Sequence, residues 1–144
     1  MWFDPIMKGL LRSPLHGLIS KNMMLITYTG RKSGEKFTTP VNYLSMKQDE
    51  HQFLATTSMR ERVWWRNLRG GAPVTVRLRG KDYPATAEVI EDELGVAKNL
   101  GAYLLLCPDL AKYFKVRLEV NGQPKDEDIV DAARTRVFIK TWLG

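Results

Sequence analysis

The sequence predicts an α+β fold in which six short antiparallel strands form a barrel, closed or split, with flanking helices. Three observations carry that expectation. Pro73-Val-Thr-Val-Arg-Leu-Arg79 alternates strictly, with Val74, Val76 and Leu78 facing inward and Thr75, Arg77 and Arg79 outward. A turn at Gly80-Lys81 leads directly into an antiparallel successor over Asp82–Glu91. Short strands of this kind, interleaved with helices, favour a barrel over a doubly wound sheet.

Taken in order, Phe3, Met7, Leu10, Leu11, Leu15, Leu18 and Ile19 follow a helical period interrupted by Pro14, which reads as one or two short amphipathic helices. Met24–Thr29 is a β-branched strand ended by Gly30-Arg-Lys-Ser-Gly34. A second strand runs through Phe37–Leu44. Its Pro40 has no N–H to donate, so it belongs at a sheet edge or a bulge. Gln52–Thr57 is a third strand, and residues 62–69 form a short helix. Helices follow at about 93–106 and 108–115. Another opens at Pro124-Lys-Asp126, with acids in its first turn where the helix dipole favours them, and Thr135–Leu143 is the last strand.

A chain of 144 residues is long enough for one domain with its own core, here residues 1–144. Lys8, Arg12, His16 and Lys21 interrupt the N-terminal apolar run, so it reads neither as a signal peptide nor as a membrane span. Cys107 is the lone cysteine, which excludes an internal disulfide and fits a cytoplasmic location. With only His16 and His51 available, neither a metal site nor a Ser/His/acid or Cys/His hydrolase set is expected. Charge is asymmetric. Residues 1–81 hold 14 Lys and Arg against 5 Asp and Glu, a net +9, while residues 82–144 hold 8 against 11, a net −3. The basic half points to an anionic partner: nucleic acid, a membrane surface or a phosphorylated cofactor.

Three constellations bear on that choice. Arg31 and Lys32, between Gly30 and Gly34, combine a guanidinium, an ammonium and a flexible backbone able to form an anion nest. The spacing is not that of a P-loop, and a solvated hairpin is the plainer reading of this segment alone. In Arg60–Arg69, a helix would align Arg62, Arg66 and Arg69 in one basic stripe and pair Trp64 with Leu68. Adjacent Trp64 and Trp65 cannot share a face, so at least one does something other than fill the core. The row Arg77, Arg79 and Lys81 contains no aromatic, so nucleic acid is not expected.

The ordered set Leu25-Ile-Thr-Tyr-Thr-Gly-Arg-Lys-Ser-Gly34, Thr39-Pro-Val-Asn-Tyr43, Trp64-Trp-Arg-Asn-Leu68 and Ala72-Pro-Val-Thr-Val76 resembles the deazaflavin-dependent nitroreductase family. Those are split β-barrel proteins related to pyridoxamine-phosphate oxidase-like flavin proteins, and their actinobacterial members use coenzyme F-420. The resemblance spans about residues 23–91 and implies a six-stranded antiparallel split β-barrel. It implies that Arg31, Lys32 and Ser33 hold the coenzyme's phosphate and glutamate tail. It further implies that Pro40, Val41 and Asn42 line the deazaflavin ring, with Thr57, Ser58 and Trp64 completing the pocket. Ser58-Met-Arg-Glu-Arg62 stands where many members have a Gly-Gly-rich loop, and Tyr103 and Tyr113 lie in no motif that aligns.

The expected function is an oxidoreductase that uses reduced deazaflavin on quinone-like or nitroaromatic acceptors, with FMN as the alternative cofactor. No catalytic side chain is assigned. Its partners are an anionic flavin-type coenzyme and a small hydrophobic acceptor, in a monomer or homodimer. The rival reading is a split-barrel binding protein for a lipid or flavin-type ligand. Trp2, Phe3, Met7 and Leu11 beside Lys8 and Arg12 would place it against the inner face of the membrane.

Overall fold

The structure, a computed structural model, describes residues 23–143. The amphipathic N-terminal helices, and the membrane contact read from residues 2–12, lie outside the described residues. In chain order the elements are β1 (Met23–Thr29), β2 (Lys36–Asn42), β3 (Leu44–Gln48), β4 (His51–Met59) and a 3-10 turn (Trp64–Leu68). These are followed by β5 (Ala72–Leu78), β6 (Lys81–Ile90), α1 (Glu93–Leu106), a second 3-10 turn (Pro108–Phe114), α2 (Asp126–Thr135) and β7 (Arg136–Leu143).

One antiparallel sheet takes the strands in the order β2-β1-β5-β6-β7-β4-β3. Its two ends, β2 and β3, are separated in sequence by Tyr43 alone. A single bent strand therefore pairs with β1 through its first half and with β4 through its second, which curls the sheet into a split barrel. At the bend the Thr56 hydroxyl donates to the Asn42 carbonyl at 3.0 Å. The described strands number seven, not six, because the expected strand over 37–44 changes partner at Tyr43 and continues to Gln48. The apolar positions change phase at this point, from Val41 and Tyr43 to Leu44 and Met46. Pro40 stands opposite Leu25 on β2, which ends the sheet order, so its missing N–H interrupts no ladder.

Strand alternation feeds two cores. Met24, Ile26, Val74, Val76, Val137, Ile139 and Trp65 fill the barrel. Phe53, Ala55 and Phe138 point out of its other face against Val96, Leu100, Leu104, Ala132 and Ala133 of the two helices. β4 and β7 are thus covered on both faces and read as near-continuous buried runs. Val74 and Val76 are buried and Thr75 and Arg77 exposed, as the alternation predicts. The turn falls one residue earlier than expected. Arg79 and Gly80 have φ of 49° and 82°, so Arg79 sits in a two-residue loop whose positive φ values match strand twist, not on the strand face.

Asp92 caps α1 by accepting the Gly95 N–H at 2.8 Å. Acids fill the first turn of α2, and Asp128 among them turns back to Arg117, whose Nε and backbone N–H donate to Oδ2 at 2.8 and 2.9 Å. These bonds hold the Asp128 carboxyl at about 2, below its usual 3.8. A depressed folded-state pKa contributes stability that is complete above the unfolded value and is lost as pH falls through the folded one. Thermal melts between pH 5 and 2 are expected to show a shallower acid decline for Asp128→Asn than for the native chain. Equal slopes would remove the Arg117 pairing from the account.

Candidate functional site

A cavity of about 360 Å³ opens where the β2–β3 bend faces the end of α1. Thr39 to Leu44 form one wall, and Tyr103, Cys107, Leu110, Tyr113 and Phe114 form the other. Thr57, Ser58 and Met59 at the end of β4, with Arg62, Trp64 and Arg136, complete it. The volume and the mixed lining are those of a small-molecule site. Six of the sequence-predicted residues, Pro40, Val41, Asn42, Thr57, Ser58 and Trp64, come together here from three separate segments. Val41 also packs into the barrel core, so it serves both.

The two tryptophans divide as their adjacency requires. Residues 64–68 form a 3-10 turn, not the expected α-helix, so the repeat is three residues. Trp65 and Leu68, three apart, are the buried pair, replacing the expected pairing of Trp64 with Leu68. Trp65 donates its indole N–H to the Met59 carbonyl at 3.2 Å. Trp64 is half-buried on the cavity, lies 5.8 Å from the Tyr28 ring, and donates its indole N–H to Ser58 Oγ at 3.1 Å. The Ser58 hydroxyl in turn donates to the Met59 carbonyl at 3.3 Å, so it fixes the orientation of Trp64.

The 3-10 geometry also breaks up the expected arginine stripe. Arg62 reaches the cavity, whereas Arg66 and Arg69 lie over the Trp65 ring at 5.7 and 5.2 Å. Arg69 forms a fork with Glu91 at 2.8 and 2.9 Å, and that hydrogen bonding holds the Glu91 carboxyl below its ordinary range.

Arg31, Lys32 and Ser33 do not line the cavity. They form the exposed tip of the β1–β2 connection, where Gly34 takes a φ of 72° and a side chain at Gly30 would strike the Phe37 ring at 2.7 Å. The Gly30, Gly34 and Glu35 N–H groups are bound within the turn, and that of Arg31 is bound to Asn67. Among the described residues, the N–H groups of Lys32 and Ser33 are those left for an anion. The turn is docked onto the segment carrying Trp64. Arg31 N–H donates to Asn67 Oδ1 at 2.9 Å, and Arg31 Nη1 donates to the Arg66 carbonyl at 3.0 Å.

The wall supplied by α1 and residues 108–114 carries no sequence motif, and no spacing marks it. Tyr103 is buried in it edge-on to Phe114 and Phe138. Burial pushes its phenol up to about 12, so it stays protonated and neutral at physiological pH. Arg136 stands beside it, its guanidinium 4.5 Å from the Phe114 centroid and 5.5 Å from that of Tyr113. An aromatic wall on each side of the cavity, with Arg62 and Arg136 at its edge, suits a flat conjugated ring that carries or develops negative charge.

Comparison with known proteins bears on the family and the fold. The family described as F420H(2)-dependent quinone reductase matches residues 12–103, more than half of the chain. Among solved structures, the chain is similar to a pyridoxamine 5'-phosphate oxidase-related, FMN-binding protein from Nostoc punctiforme. The TM-score is 0.51 at 7% identity, over 98% of this chain and 80% of that one, which shows a shared fold. It is also similar to a structure described as an F420-H2 dependent reductase, at TM-score 0.46 and 20% identity over 83% of this chain and 94% of that one. Another, described as a domain-swapped dimer, gives TM-score 0.49 and 20% identity over 96% of each chain. No curated protein matches. Among the described residues no helix is long and apolar enough to cross a membrane.

Proposed function

Since this chain belongs to the F420H(2)-dependent quinone reductase family, an oxidoreductase family working from reduced coenzyme F-420, we propose that the cavity beside Trp64 holds the deazaflavin ring. In the same reading, the Arg31–Ser33 turn takes the phosphate and glutamate tail. The observation that carries this is the convergence of Pro40–Asn42, Thr57–Ser58 and Trp64 on one cavity, with the basic turn docked beside it. The bound coenzyme supplies a hydride.

The protein's own residues then bind, orient and shield. Trp64, pinned by Ser58, is a flat apolar wall against which a ring stacks. Asn42 presents an exposed amide at the rim, and Lys32 with Arg31 offers positive charge to an acidic tail. Tyr103, kept neutral by burial, donates a hydrogen bond or proton to the acceptor oxygen. Arg62 and Arg136 stabilise the negative charge that grows on that oxygen. The acceptor is a small hydrophobic quinone, and the reaction takes place in the cytoplasm, where a lone cysteine stays reduced.

Mixing the protein with reduced coenzyme F-420 and a short-chain benzoquinone tests the reading. Coenzyme oxidation, followed by absorbance, is expected to depend on protein, and Tyr103→Phe is expected to lower turnover about tenfold or more while coenzyme Kd holds. Tighter binding of FMN than of coenzyme F-420, measured by fluorescence quenching, would assign the cavity to FMN instead.

A further inference from the structure

Asn67 lies on the inner side of the 3-10 turn, half-buried, and bridges two parts of the site with one planar amide. Its Oδ1 accepts the Arg31 N–H at 2.9 Å, and its Nδ2 donates to the Trp64 carbonyl at 2.9 Å. Arg31 Nη1, bound to the Arg66 carbonyl at 3.0 Å, closes the same joint from the other side. Two of these hydrogen bonds, relayed through the amide, thus tie the exposed tip of the β1–β2 connection to the backbone of the tryptophan that walls the cavity, and the third ties it to the Arg66 carbonyl of the same 3-10 turn. The two segments are 36 residues apart in sequence, and beside these bonds the Tyr28 ring of β1 lies 5.8 Å from that of Trp64. Without the amide, the bond from Arg31 Nη1 to the Arg66 carbonyl is the one of these three that still joins the tip to the 3-10 turn.

We infer that Asn67 is a positioning residue that holds the basic turn at a set distance from the Trp64 wall, so that the tail and ring of one coenzyme molecule are gripped together. This deepens the reading of the cavity as the coenzyme site and rests on it. Two linked contacts bind far more tightly than either alone only when both can be made at once. Asn67 touches neither part of the ligand in this account. It sets the separation that lets the second contact follow the first at high effective concentration.

The experiment compares coenzyme F-420 with the tail-less deazaflavin riboside, measuring Kd for each by fluorescence quenching in the native protein and in Asn67→Ala. The native protein is expected to prefer the full coenzyme, and Asn67→Ala to lose that preference by about tenfold or more. Its affinity for the riboside should stay within about twofold. A general loss of packing would lower the melting temperature and weaken both ligands alike, which would overturn the inference. So would an unchanged preference in a folded variant. A native protein that binds the riboside as well as the coenzyme would instead sink the placement of the tail, a result distinct from either. Should Asn67→Ala not fold, Asn67→Ser, whose hydroxyl is too short to span both partners, gives the same comparison.

Discussion

Replacing Trp65 with alanine is expected to destabilise the fold by about 3–5 kcal/mol, the range for removing a buried large aromatic, whereas the same change at Trp64 mainly removes ligand binding. The two side chains differ in surroundings, not in chemistry. Trp65 is 3% exposed, packs in the barrel core, and carries Arg66 and Arg69 on its ring. Trp64 is half-buried and faces the cavity. Its truncation should lower stability by about 1–2 kcal/mol, since only part of its surface leaves water on folding. Coenzyme Kd should rise by about 10–100-fold, in line with loss of a stacking wall. Because the lost contact is apolar, that rise should change little between low and high salt. Urea unfolding of both variants, together with quenching titrations on Trp64→Ala, decides it. Native affinity in Trp64→Ala would show that the cavity is not the ring site.

Charge removal at the turn is expected to behave in the opposite way. Lys32→Ala should raise coenzyme Kd about fivefold at low ionic strength, the effect of one exposed charge-assisted contact of about 1 kcal/mol. That factor should shrink as salt rises, since screening already weakens the native attraction. Stability should hold, because Lys32 makes no hydrogen bond or ion pair among the described residues. Arg31→Ala is a mixed case. It removes a charge and also the bond to the Arg66 carbonyl, so part of its effect should persist at high salt. The double variant should reach about 30-fold at low salt if the two contacts add. Binding equal to the native chain at low salt would leave the turn as a hairpin without a ligand role.

These contrasts also show what was legible in the sequence. Strict alternation over 73–79 exposed β5 with its buried valines, and the helix expected over about 93–106 is found at Glu93–Leu106. The change of partner at Tyr43 was not read, although the apolar positions change phase there, from Val41 and Tyr43 on the barrel core to Leu44 and Met46 on the helix-covered core. Nor was the 3-10 turn over 64–68, since a five-residue segment does not separate a repeat of 3.0 from one of 3.6. That difference moved the burial from Trp64 and Leu68 to Trp65 and Leu68, and dispersed the arginine stripe. The cavity-lining candidates Pro40–Asn42, Thr57–Ser58 and Trp64 entered through a resemblance spanning about residues 23–91. The opposite wall of Tyr103, Tyr113, Phe114 and Arg136 is assembled by helix packing from residues with no local signature. Burial on both faces of β4 likewise appears only once Phe53 and Ala55 are known to lie beneath the helices, while Leu54, Thr56 and Ser58 face the barrel side.

The position of β7 has a consequence for how the molecule is made. It is the last described strand in sequence, yet it lies inside the sheet between β6 and β4. During synthesis the preceding strands emerge first, and hairpins such as β3–β4 and β5–β6 can close as soon as they leave the ribosome. The sheet, however, keeps two unpaired edges, on β4 and β6, until residues 136–143 follow. β4 carries the apolar run Phe53–Ala55 and β6 the alternating Ala85, Ala87 and Val89, so the unfinished chain exposes unpaired edges of the kind that recruit other chains. Pairing residues as distant as Leu54 and Thr141 also makes the closing step slow relative to local hairpins. Final assembly therefore comes late, with β7 filling a waiting slot, and molecular chaperones that shield strand edges matter most in that interval.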